Sequence, residues 1–156
     1  MSKKRSHQRP GICVDEHIVT AVTDVFRHDF NVVEAAKTNE FRGRDEHDYV
    51  EVLYARNLVF VTSDQEFVEH VIDRKVVHAG IVYIPTGMSV DEKVYFAEIA
   101  RAWVYGGTRD SALAFRGFTL YPAHDGVRFY RRQRGKSKSK SGPELAFSWD
   151  WLADAG

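Results

Sequence analysis

Short apolar runs alternate with longer stretches of helical periodicity along the first two thirds of this chain, and no other feature narrows the fold so far. Ile12 to Val14 reads as a strand, and Ile18 to His28 as a helix with Ile18, Val22, Val25 and Phe26 on one face. Asn31 to Glu34 reads as a second strand. A polar, Gly-containing loop from Lys37 to Arg44 follows, then a helix marked by Val50, Leu53 and Tyr54 and ended by Asn57. Leu58 to Thr62 (LVFVT) is β-branched and aromatic, the composition of a strand buried on both faces. A helix from Gln65 to Arg74, a strand from Gly80 to Ile84 and a helix from Val90 to Val104 complete the series. The order predicts an α/β fold of βαβαβαβα type around a mainly parallel sheet.

Past Gly106 and Gly107, which read as a hinge, the pattern changes. FRGFTLYPAHDGVRFYRR predicts a β-hairpin turning at Asp125 and Gly126. RRQRGKSKSKSG is a hydrophilic basic spacer, and ELAFSWDWLADAG regains enough aromatic surface to dock on its own domain or on a partner. The expected organisation is a basic tail over 1–11, a main domain over 12–105 and a C-terminal extension over 106–156.

Charge is segregated although the formal net charge is zero. Residues 1–10 and 128–140 together hold 11 of the 22 Lys and Arg residues and none of the 22 acids. An acidic body of net charge −11 therefore carries two basic segments, an arrangement that can hold a polyanion beside a repulsive surface. The single cysteine, Cys13, rules out an intramolecular disulfide and suits a reduced, cytoplasmic setting. No apolar stretch approaches the roughly 20 residues of a membrane helix, so neither export nor membrane insertion is expected.

Acidic residues fall at comparable points of the alternation. Asp15 and Glu16 end the first strand, Asp64 follows the third, and Asp48 opens the helix after the polar loop, with Asp45 and Glu46 just before it. In open α/β sheets the carboxyl ends of the strands share one edge, where sites form. Carboxylates gathered there repel one another, and a hard cation such as Mg²⁺ or Mn²⁺ offsets that repulsion. Thr62 or Ser63 could orient a carboxylate or a water. Helix capping is the competing account: Ser63 to Glu66 fits a capping box and Asp48 suits a helix N-terminus. Asp15 caps nothing unless a helix starts at once.

In order and spacing, ICVDEH, GRDEHDYVEVLYARN, LVFVTSDQEF and AGIVYIP resemble the PIN-like domains, a family of three-layer α/β/α metal-dependent ribonucleases. The resemblance covers about Ile12 to Ala100. It implies that Asp15, Asp48 and Asp64 are catalytic and hold Mg²⁺ or Mn²⁺ with help from Glu16 and Glu66, and that Thr62 fills the family's hydroxyl position. His17 stands where these domains usually carry Asn. RNA is the implied substrate, and the toxin of a toxin-antitoxin pair the implied role. A cognate antitoxin and a second copy of the chain are the other partners expected. An inactive PIN-like module that binds RNA or protein is the alternative.

Arg131, Arg132, Arg134, Lys136, Lys138 and Lys140, next to Phe129 and Tyr130, suit the phosphates and bases of single-stranded RNA; a flexible spacer is the simpler account. The seven histidines show no paired zinc-ligand spacing, and no Gly-rich phosphate loop is present.

Overall fold

The structure is a computed structural model that describes residues 9–108, 115–131 and 144–148. One seven-stranded sheet organises it, in the order β2-β1-β3-β4-β5-β6-β7. The strands are β1 (Gly11–Val14), β2 (Asn31–Glu34), β3 (Leu58–Thr62), β4 (Ile81–Tyr83), β5 (Phe118–Ala123), β6 (Gly126–Arg131) and β7 (Glu144–Ser148). All neighbours from β2 across to β5 pair in parallel, whereas β5, β6 and β7 pair antiparallel. The helices are α1 (Thr20–Arg27), α2 (Glu46–Ala55), α3 (Gln65–Asp73) and α4 (Val90–Thr108).

Side-chain alternation along the central strands assigns the two faces. Ile12, Val14, Val59, Val61, Val82 and Leu120 bury one side of the sheet against Val22, Val25 and Phe26 of α1 and Phe96, Ala97 and Ala100 of α4. Cys13, Leu58, Phe60 and Ile81 bury the other against Tyr49, Val50 and Leu53 of α2 and Phe67, Val68 and Val71 of α3. Two helices on each face make the sheet the middle of three layers. All five residues of β3 are buried, as the unbroken apolar run requires of a central parallel strand.

Several boundaries move for local reasons. Instead of starting with Asp48, α2 begins two residues earlier at Glu46, because Asp45 caps it by accepting a 2.9 Å hydrogen bond from the His47 amide. Asn57 ends α2 in the left-handed conformation, at φ 54°. Not Ser63 but Asp64 caps α3, so Ser63 to Glu66 is no capping box: the Asp64 carboxylate accepts from the Phe67 amide at 3.0 Å. Gly106 and Gly107 lie inside α4 rather than in a hinge, so the helix crosses the boundary expected at 105. The hairpin turns through His124 and Asp125, one residue earlier than expected, with Ala123 and Gly126 as its closing pair. Because β5 pairs with β4, the C-terminal segment extends the main sheet. Glu144–Ser148, the described start of the aromatic tail, docks as a strand on β6. Among the described residues, no helix is long and apolar enough to cross a membrane.

Candidate functional site

Strand order reverses at β1: the chain crosses from β1 to β2 on one side, then returns to place β3, β4 and β5 on the other. The chain leaves the carboxyl end of β1 for α1 on one face and that of β3 for α3 on the other, the usual position for a site in a doubly wound sheet. Asp15 follows β1 directly, and Thr62, Ser63 and Asp64 end or follow β3.

Thr62 joins the two acids. Its hydroxyl donates to Asp15 Oδ2 at 3.0 Å and accepts from the Asp64 amide at 3.1 Å. The Asp15 amide is held in turn by the Val61 carbonyl at 2.9 Å, continuing the β1–β3 ladder one residue past the strand end. Asp15 is 6% exposed and Thr62 fully buried. The other oxygen of Asp15 accepts from the Glu16 amide at 2.8 Å. No helix starts at Asp15: a turn closed by the Ile18 amide on the Asp15 carbonyl intervenes, and α1 begins only at Thr20. Capping therefore does not explain this carboxylate, whereas it does explain one oxygen of Asp64.

The remaining acids stand farther out. Asp48, in the first turn of α2, is exposed, as are Glu16 and Glu66. Ser63 is half-buried. The start of α2 is brought to α3 through His47, whose ring lies 5.3 Å from Phe67 and 4.5 Å from His70, centroid to centroid. Among the described residues, no three His, Cys, Asp or Glu side chains form a group able to hold a metal ion. Arg131 is exposed, with its guanidinium 5.7 Å from the Phe118 ring centre, while Arg132, Arg134, Lys136, Lys138 and Lys140 lie outside the described residues.

Two further groups share the site's field. Tyr83 pairs in register with Thr62 on the same face of the sheet. Its phenol is pushed up by burial, then by the negative charges of Glu69 and Asp64. Cys13, two residues before Asp15, is pushed up to about 12 by burial and then by Asp15, so it stays a thiol at neutral pH. Tyr83 went unnoticed in the sequence, although its place at the carboxyl end of an apolar strand is the signal that marked Asp15.

No family model, curated protein or solved structure matches the chain.

Proposed function

We propose that the protein is a PIN-like, Mg²⁺- or Mn²⁺-dependent ribonuclease that hydrolyses RNA phosphodiester bonds, with Asp15, Asp48 and Asp64 as its catalytic acids. One observation carries the reading: a buried carboxylate without a capping role, Asp15, is tied through Thr62 to the Asp64 amide at the sheet edge where strand order reverses. The donor set suits the metal. Carboxylate and hydroxyl oxygens are hard ligands, and Mg²⁺ is commonly held by only one or two carboxylates, with substrate phosphates and water completing its shell. Asp15 and Asp64 would supply that pair, with Asp48, Glu16 and Glu66 at the rim. Bound there, the metal supplies an activated water and stabilises charge on the phosphate.

The chain's own residues do the rest. Thr62 fixes the rotamer of Asp15 and the backbone entering α3, so both acids are oriented before substrate arrives. The positive end of α3 faces the same edge and favours an anion there. Toxin activity against cellular RNA is the biological role this chemistry would serve.

A second reading, a PIN-like module that binds RNA or protein without cutting, is favoured by a different fact: both oxygens of Asp15 already accept hydrogen bonds and the residue is 6% exposed. Incubation of the full chain with a labelled single-stranded RNA decides between them. Cleavage should require Mg²⁺ or Mn²⁺, stop with chelator, and vanish in Asp15→Asn and in Asp64→Asn, because amides bind these ions poorly. Undiminished cleavage in both variants with chelator present would overturn the ribonuclease reading. Binding without cleavage in the metal-loaded wild type would favour the second.

A further inference from the structure

The parallel registers continue the site sideways along the carboxyl edge. Thr62 pairs with Tyr83, and the pairing of Ile81 with Thr119 and Val82 with Leu120 places Tyr121 beside Tyr83 on the next strand. Tyr121 in turn pairs with Arg128 across the hairpin. Asp15, Thr62, Tyr83, Tyr121 and Arg128 thus form one row, and Tyr121 stands three strands from Asp15, roughly 14 Å at the usual strand spacing.

Thr119 and Tyr121 of β5 and Arg128 and Tyr130 of β6 share this face of the sheet. The core beneath α2 and α3 draws on β1, β3 and β4 and includes no residue of β5 or β6. Tyr121 and Tyr130 are each half-buried and stack on one another, with ring centres 5.6 Å apart and an interplanar angle of 22°. Arg128 is held at the rim by Asp125, its Nε donating to Oδ1 at 3.0 Å. From Arg131, β6 runs into residues 132–140, which carry five cations and no acid. A planar aromatic surface on a strand whose sequence continues into five cations suits an unpaired base with its phosphates. A neutral or cationic partner would gain nothing from that charge.

We propose that this face of β5 and β6 is a binding site for single-stranded RNA, with a base stacked on the Tyr121–Tyr130 pair and the strand running along the row toward Asp15. The site rests on the ribonuclease reading for its direction, not for its existence. Stacking works on every base, so the site selects single strands without selecting sequence.

The test uses the full chain with chelator present, so that binding is read without cleavage. Fluorescence anisotropy of a labelled oligouridylate should show Tyr121→Ala and Tyr130→Ala weakening affinity by roughly five-fold or more each, the usual loss for one stacked base. Tyr121→Phe and Tyr130→Phe keep the ring and should bind as wild type. Duplex RNA of the same length, whose bases are already paired, should bind more weakly than the single strand. Photo-crosslinking of a 4-thiouridine oligonucleotide to unaltered protein should label the peptide holding Tyr121 or Tyr130, which guards against an alanine variant that misfolds. Wild-type affinity in both alanine variants, or crosslinks confined to other peptides, would overturn the site. If the tyrosines matter while no condition yields cleavage, the platform stands and the ribonuclease reading fails. Metal-dependent cleavage with unchanged KM in both alanine variants gives the reverse.

Discussion

At the scale of single residues, Thr62 is where stability and site geometry meet. Its hydroxyl is fully buried and takes part in two hydrogen bonds, one to a carboxylate and one from a backbone amide. Thr62→Val keeps the shape but leaves Asp15 Oδ2 and the Asp64 amide each without this partner. Stripping a partner from a buried polar group costs about 1–3 kcal/mol, and groups bonded to charges lie toward the upper end. Thr62→Ser keeps the hydroxyl and loses one methyl, about 1 kcal/mol of burial. Urea unfolding should therefore rank wild type, then Thr62→Ser, then Thr62→Val. Cleavage should survive in the serine variant and fall in the valine variant, since only the latter frees the Asp15 rotamer. Equal behaviour of the two would reduce Thr62 to a packing residue.

Among the elements, α3 separates what Asp64 does for the fold from what it is proposed to do chemically. One of its oxygens caps the helix. Asp64→Ala should lose about 0.5–2 kcal/mol in thermal or urea unfolding, while Asp64→Asn, a comparable cap, should stay close to wild type. Both should lack cleavage. An asparagine variant that is stable yet fully active would leave Asp64 as a cap alone. The competing roles were visible in the sequence because VTSDQEF holds both a strand end and a capping signal. NVVE and LVFVT were equally legible, since apolar runs bounded by turn residues admit few other structures. The strand Glu144–Ser148 was not, because ELAFS lacks a continuous β-branched run and its position depends on the hairpin it joins. Nor was the row from Thr62 to Tyr121 legible: it arises from strand registers between segments far apart in sequence, which no local pattern encodes. Asp15 was easy to find but hard to interpret until the turn before α1 removed a capping role.

Across the whole molecule, charge and aromatic surface divide the work of holding RNA, and salt tells them apart. The body outside the two basic stretches has a net charge of −11, so a polyanion approaching Asp15 and Asp64 meets repulsion that the basic segments must offset. Residues 132–140 join β6 to the segment leading into β7, so deleting them would also disturb the sheet edge. Replacing Arg132, Arg134, Lys136, Lys138 and Lys140 by Ser keeps that link and removes five charges. Every phosphate that is no longer neutralised should flatten the slope of log affinity against log salt by about 0.7 for a single strand, and by about 3.5 if all five cations engage one each. The stacking contribution is not ionic, so Tyr121→Ala should lower affinity at every salt concentration and leave the slope nearly unchanged. Parallel lines for the tyrosine variant and a shallower line for the serine variant are the expected pair. A serine variant with the slope of wild type would make residues 132–140 a connection between strands and move the phosphate-binding cations elsewhere on the protein.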